Sequence, residues 1–563
     1  MADPAPPAQV APFQAPSLPT ATHRPEGSGH TRNRSQMTER NPPPPAPTPG
    51  PSTGLGGWSL YFILKLLLAW RGALSAHPAP DLAFALVLLL PLRRRWLRLA
   101  RDALAWPAAA ILLYYDSWLP PPAALWRELS ELKGFSLSYL MELAGRILTP
   151  TLLIGFTVVL TGYLLLSRFL RLGTLVMATL LALSAHELWQ QRAPAASASS
   201  AFGGAAQSAQ TPDQRLEGFF RSEQRRQVGF QGPLADPGFD VLLLHVCSLS
   251  WDDLRAVGFD NPPLLARFDI VFDRFNSAAS YSGPAALRVL RASCGQPRHS
   301  ALYEPAPEQC FLFENLAKAG FKTELSLNHD GSFDSFLQQI RRNGRMNLPL
   351  TPQDGVAVGQ RGFDSSPIYS DYAMLNRWLQ LRLQEPDPHV AVYYNTISLH
   401  DGNRIPEAPA LDTDASYKYR AGRLLRDIGQ FIDLLEQDHR KMILLLVPEH
   451  GAALRGDKQQ FSGLREIPSP LITTVPAAIK VIGSQGRPAQ YRVTQQASYT
   501  AIATILSRML ARSPFGADYQ PESYAQDLPA TPFVSENANF TVMQSGSRYL
   551  MQSSGGNWND YQM

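Results

Sequence analysis

Two apolar runs lying roughly two hundred residues apart constrain this chain more than any other feature. The first is Phe239-Asp240-Val241-Leu242-Leu243-Leu244-His245-Val246-Cys247, and the second is Met442-Ile443-Leu444-Leu445-Leu446-Val447. Short apolar runs of this kind read as strands buried in a sheet. Further strand patterns at 269–273, 320–326, 389–397 and 477–482 alternate with helical patterns at 284–292, 332–343, 370–384, 416–438 and 495–511. That alternation predicts an α/β domain whose mostly parallel sheet is sandwiched by helices. Ligands of such sheets gather at the carboxyl ends of strands. Cys247, the turn Leu399-His400-Asp401-Gly402 and Glu449-His450-Gly451 all fall there.

The chain has 563 residues, too many for one domain, and its parts differ in composition. Residues 1–56 are Pro-rich and polar, with Asn41-Pro42-Pro43-Pro44-Pro45, and are expected to form a disordered tail. No signal peptide is expected ahead of the first apolar run. Residues 57–190 carry five apolar stretches, at 57–74, 80–92, 103–119, 150–167 and 172–188, and are expected to form a membrane domain of about five transmembrane helices. Arg93, Arg94, Arg95, Arg98 and Arg101 crowd the second connection, and Arg168 and Arg171 the fourth. By the positive-inside rule these loops and the tail are cytoplasmic. An odd number of crossings then puts everything after 188 outside, in the periplasm if the cell has two membranes. The segment from Ala123 to Leu143 reads as an amphipathic helix lying on the membrane surface, or as one with a structural role. Residues 191–230 read as a flexible linker and 231–563 as the outer domain, ending in a small hairpin packed on its edge. The formal charge of +4 sits largely in the tail and membrane region, which gives no case for nucleic acid.

The three cysteines are Cys247, Cys294 and Cys310. In an oxidising compartment Cys294 and Cys310 are expected to pair, leaving Cys247 for a metal. Thiolate, carboxylate and imidazole from Cys247, Glu449 and His450 would make three protein ligands with an open fourth position, the arrangement of a catalytic zinc. Alone, Cys247 would read as a buried small hydrophobe and His450 as a satisfied core histidine. Ser282 opens Ser282-Gly283-Pro284, with Pro284 expected at the first helical position. A phosphoryl group there would meet free N–H groups and the positive end of the helix dipole. Zinc would lower the pKa of the hydroxyl, whereas an isolated Ser-Gly-Pro reads as a plain helix cap. His400 could stabilise phosphoryl oxygens or protonate a leaving group. Arg465 could clamp a phosphate, or be a surface charge.

Several stretches together resemble the alkaline-phosphatase superfamily, specifically its membrane-anchored phosphoethanolamine transferases and the branch that serves bacterial cellulose synthesis. They are Asn276-Ser277-Ala278-Ala279-Ser280-Tyr281-Ser282-Gly283-Pro284, Val447-Pro448-Glu449-His450-Gly451, Leu399-His400-Asp401-Gly402-Asn403 and Ser462-Gly463-Leu464-Arg465-Glu466-Ile467-Pro468. The resemblance covers roughly residues 57–563. It implies a zinc enzyme in which Ser282 is the nucleophile and a zinc contact, with Cys247, Glu449 and His450 as ligands. Tyr281 and Arg465 would assist around the phosphate, and His400 would act on the phosphoryl or leaving group. The implied donor is phosphatidylethanolamine and the implied acceptor cellulose, with cellulose synthase subunits as partners. Phosphoglycerol transfer, phosphate or sulfate hydrolysis, and a membrane scaffold for the synthase are the competing expectations.

Overall fold

A computed structural model describes residues 54–119, 122, 137–192, 210–230, 238–408, 413–486, 488–554 and 556–563. The expected disordered tail therefore lies, but for its last three residues, outside the described residues, as does 123–136 of the expected amphipathic helix.

The C-terminal domain is built on a seven-stranded sheet of β1 (Asp240–Val246), β2 (Ile270–Phe272), β3 (Lys322–Leu327), β4 (Val390–Thr396), β5 (Met442–Pro448), β6 (Ala478–Ile482) and β7 (Tyr491–Val493). Its order is β7-β2-β6-β5-β1-β4-β3. The sheet is mixed: β3, β4, β1 and β5 pair in parallel, β6 runs against both β5 and β2, and β7 follows β2. Every residue of β1 and β5 is buried, which is why both read as largely apolar runs. Successive side chains alternate between two cores. Val241 and Leu243 meet one side, packed with Val289, Leu290, Ile502 and Leu506. Leu242 and Leu244 meet the other, with Trp378, Tyr417 and Phe431. The expected helices are present as Ser282–Leu290, Phe336–Arg342, Asp371–Arg382, Thr413–Gln437 and Tyr499–Ala511.

Four expectations are corrected. Residues 210–230 are not linker: Pro212–Glu223 is a helix, capped by the reciprocal Thr211–Gln214 box. Its Leu216, Phe219 and Phe220 pack on Val534 and Met543 of the C-terminal sheet. The expected terminal hairpin is a four-stranded antiparallel meander, β8 (Val534–Glu536), β9 (Phe540–Ser545), β10 (Arg548–Ser553) and β11 (Trp558–Tyr561). Arg95, Arg98 and Arg101, expected in a connection, lie inside the helix Arg95–Asp116. Finally, the helix opening at Ser282 starts on the serine, so Pro284 is its third residue and not its first.

The N-terminal helices are Trp58–Trp70, Pro78–Leu89, Arg95–Asp116, Leu137–Ile147, Pro150–Leu166 and Leu172–Arg192. Within the last, Leu172–Trp189 is long and apolar enough to cross a membrane, and Tyr139–Arg146 with Pro150–Leu166 would form a second span only as a pair bent by 45°. The helices Trp58–Trp70 and Pro78–Leu89 have 13 and 12 residues, or about 20 Å each at 1.5 Å per residue, short of a ~30 Å hydrocarbon core. Inside the bundle Lys65 is buried against two carboxylates, Asp81 and, at 2.9 Å, Asp116.

Cys294 and Cys310 form a disulfide across 16 positions, and Cys247 is a free, buried thiol. Closing a loop of that length restricts the unfolded chain by about 3 kcal/mol. The paired Cys294→Ser and Cys310→Ser variant is therefore expected to unfold at lower urea concentration than the oxidised parent, with no such gap once both are reduced.

Candidate metal and nucleophile site

Parallel pairing of β1 with β5 sets Val246 beside Pro448. One residue further on, Cys247 and Glu449 leave adjacent strands together, and His450 follows. Two backbone bonds lock the exits, Glu449 N–H to the Val246 carbonyl at 2.9 Å and Leu249 N–H to the His450 carbonyl at 2.7 Å. One ligand atom from each of Cys247, Glu449 and His450 lies within 4.8 Å of the others, and all three residues are buried. Cys247 Sγ is 3.9 Å from His450 Nε2, which is 3.6 Å from Glu449 Oε2.

Ser282 completes the group. Its Oγ lies 3.4 Å from Cys247 Sγ and 3.4 Å from His450 Nε2. It is the first residue of its helix, Tyr281 is the cap, and no side chain caps the N-terminus. The plain helix-cap reading of this serine therefore does not describe its contacts.

The surroundings select protonation states. The Gly451 carbonyl, which can only accept, lies 2.9 Å from His450 Nδ1 and favours a proton there with the lone pair on Nε2, while the donor Arg465 Nη1 stands 3.2 Å from Nδ1 and 3.5 Å from Nε2. Burial, reinforced by the Arg465 charge, holds the His450 pKa well below its ordinary value. Burial and the Glu449 charge push the Cys247 thiol up to about 12. Burial likewise raises Glu449 to about 7, although Asn395 donates to its Oε1 at 2.5 Å. Its other oxygen, Oε2, is buried with no hydrogen-bond partner. A neutral imidazole lone pair, an unsatisfied carboxylate oxygen and a thiol facing one another fit a divalent zinc ion, which would satisfy all three.

Arg465 reaches over the group. Its Nη1 is 3.4 Å from Ser248 Oγ, and its guanidinium lies 5.7 Å from the centre of the Tyr281 ring. It is therefore not a free surface charge. Tyr281 donates to Glu466 Oε2 at 2.9 Å, and Asn539 from the C-terminal meander donates to Oε1 at 2.6 Å. His400 follows β4 on the other side of β1. Its Nδ1 is 2.8 Å from the Asp401 carbonyl, so Nε2 is again the unprotonated nitrogen. Burial, then the Arg465 charge, lowers its pKa to about 4, so His400 is neutral at neutral pH.

Sequence reasoning missed the supporting residues. Asn395 fixes Glu449, and His245, 3.4 Å from Glu449 Oε1 and 2.8 Å from the Tyr393 hydroxyl, backs it. Both are polar residues inside buried apolar strands, and that incongruity was the available signal.

Comparison with known proteins meets this arrangement. The family model for the C-terminal domain of the cellulose biosynthesis protein BcsG matches residues 196–558, and that for its N-terminal domain matches 58–185. This chain belongs to the BcsG family. It is 39% identical over 544 residues to the cellulose biosynthesis protein BcsG of Escherichia coli (strain K12), an alignment covering 90% of this chain and 96% of that one. To the BcsG of Salmonella typhimurium it is 37% identical over 542 residues, with the same coverages of 90% and 96%. Solved structures with a distant likeness include the C-terminal periplasmic domain of EcEptC from Escherichia coli, at 14% identity and TM-score 0.40, covering 55% of this chain and 93% of that one. The lipooligosaccharide phosphoethanolamine transferase EptA from Neisseria meningitidis is 12% identical at TM-score 0.40, covering 80% and 95%.

Proposed function

We propose that this BcsG-family chain is a zinc-dependent phosphoethanolamine transferase that moves the headgroup of phosphatidylethanolamine onto hydroxyls of cellulose through a serine intermediate. The observation that carries the reading is Ser282 Oγ, 3.4 Å from both Cys247 Sγ and His450 Nε2, on the first residue of a helix with no competing cap. Zinc held by Cys247, Glu449 and His450 would supply a lowered pKa for the serine hydroxyl and charge neutralisation for the phosphoryl oxygens.

The chain's own groups divide the remaining work. Ser282 oxygen attacks phosphorus, the bond from phosphorus to the diacylglycerol oxygen breaks, and diacylglycerol leaves as the alcohol with the serine's proton. An acceptor hydroxyl then attacks the phosphoserine, its proton returning to Ser282. Free N–H groups at the start of Ser282–Leu290 and the Arg465 guanidinium carry the phosphoryl charge. His400 is neutral with its lone pair on Nε2, which suits it to accept the proton of the incoming hydroxyl more than to act as a standing acid. Tyr281, held by Glu466, supports the Arg465 side chain from its ring face.

A lipid donor gives an enzyme of this kind a reason to be tethered, and Leu172–Trp189, with the bent pair Tyr139–Arg146 and Pro150–Leu166 as a second candidate span, supports anchorage in a bacterial inner membrane with the catalytic domain in the periplasm. The family's name places its relatives in cellulose biosynthesis, which favours a glucan acceptor and synthase subunits as neighbours.

Full-length protein in detergent is to be incubated with phosphatidylethanolamine or phosphatidylglycerol, each labelled in the headgroup, and digested for mass spectrometry. The expected result is phosphoethanolamine on the Ser282 peptide from the first lipid alone. A phosphoglycerol adduct would replace the donor, and no adduct from either lipid would refute the covalent route.

A further inference from the structure

The turn that carries His400 is not held by the C-terminal domain alone. Its neighbour Asp401 receives a two-pronged ion pair from Arg146, Nη1 to Oδ2 at 2.6 Å and Nη2 to Oδ1 at 2.8 Å. Arg146 lies on the helix Leu137–Ile147, which leads into the apolar helix Pro150–Leu166. Glu142, one turn earlier, accepts from Arg146 at 2.7 Å and from Thr413 at 2.8 Å, and also pairs with Arg404. Tyr139, one turn before that, donates to Asp401 Oδ2 at 3.1 Å. The Tyr139 ring stacks on Phe363 with centroids 5.8 Å apart, and Phe363 in turn lies 5.6 Å from the His400 ring.

The docking is built through two glycines. At Gly402, with φ +78°, a Cβ would sit 2.8 Å from the Tyr139 ring, and at Gly463, with φ +81°, a Cβ would run into Arg146 Nη1. These glycines flank the two site residues His400 and Arg465. Close approach and a left-handed backbone coincide at both, which only glycine accommodates without strain.

We infer that Arg146 is a positioning residue, and that Leu137–Ile147 completes the catalytic centre by fixing the His400 turn from the membrane side. The guanidinium fork sets the Asp401 carboxylate in two places at once, so the following backbone cannot rotate away. The Asp401 carbonyl in turn meets His400 Nδ1, which fixes the tautomer and the direction of the free nitrogen. Burial would raise the Asp401 pKa, but Arg146 more than offsets it and holds the carboxyl well below the usual range, so the pair is ionised throughout the working pH range.

This inference rests on the transfer reading, so the parent protein's phosphoethanolamine adduct on Ser282 is the control that separates the two. Turnover of full-length variants is to be measured with a water-soluble short-chain phosphatidylethanolamine and a cello-oligosaccharide, per chain able to form the adduct. Arg146→Ala is expected to lower kcat by about 10- to 100-fold, as the loss of an outer supporting partner does, with zinc content and the donor KM little changed. Asp401→Asn is expected to cost as much, and the double variant no more than the worse single. Arg146→Lys keeps the charge but not the fork and is expected to lose several-fold. It decides the matter should the alanine variant not fold. Parental turnover in Arg146→Ala or Arg146→Lys, or losses that simply add in the double variant, would overturn the assignment.

Discussion

Ser282→Ala is expected to remove phosphoethanolamine transfer altogether, a fall on the order of 10⁴-fold or more in turnover, because the attacking atom itself is gone. The fold should barely notice. The hydroxyl caps no helix end, lies 3.4 Å from Cys247 Sγ and from His450 Nε2, and interacts with the Glu449 carboxyl, so its loss removes no close hydrogen bond that holds the backbone. Alanine is a good helix former at that first position, so the stability change should stay within about 1 kcal/mol. Two measurements belong together: the phosphoserine adduct after lipid exposure, and the thermal midpoint of the same preparation. A variant with a parental midpoint, no adduct and no product fits the mechanism. One that still decorates cellulose leaves the serine without a role.

The second large effect concerns zinc. Binding must expel a proton from Cys247, whose thiol sits at about 12, and below neutrality also one from Glu449, at about 7. His450 is neutral throughout and releases none. The sign follows directly: affinity rises with pH, about tenfold per pH unit above 7 and about a hundredfold per unit below it, because each displaced proton contributes one decade. Cys247→Ser cannot ionise, so the dependence above pH 7 should vanish. Affinity should also drop by more than the 10- to 100-fold typical of a lost outer partner. Zinc at a thousandfold excess over its dissociation constant stabilises the folded chain by about 4 kcal/mol, so chelation should lower the parent's melting temperature and shift that of Cys247→Ser far less. Competition titrations with a chromophoric chelator across pH, and melts with and without EDTA, read both. A flat affinity profile in the parent would remove Cys247 from the ligand set.

How much of this was legible beforehand depended on distance along the chain. Cys247, Glu449 and His450 were readable because each follows an apolar strand, and the ends of such strands in a parallel sheet share one rim. The strand order was not readable. Nothing local says that β1 lies between β5 and β4, which is what sets Cys247 against Glu449 and sends His400 to the other side. Pro284 misled by two positions, since its fixed φ suits any residue of the first turn. The Pro212–Glu223 helix was hidden by its Ala/Ser-rich approach, although Thr211 and Gln214 spelled a capping box. Arg146 offered no signal at all: its partner Asp401 is 255 positions away, and in the sequence it looks like one more basic residue near a membrane.

The in-register exit of β1 and β5 also dictates when the cation can arrive. Its donors come from segments separated by a long intervening stretch that itself contributes β2, β3 and β4. Parallel neighbours so remote in the chain pair late, after the loop-closure entropy of everything between them has been overcome. Were the C-terminal domain exported as proposed, the first donor would cross well ahead of the others, as an unprotected thiol beside two cysteines that must find each other. If zinc is the ion, its capture would read out completed assembly, and a cell short of zinc would accumulate folded but unloaded protein rather than partly built chains.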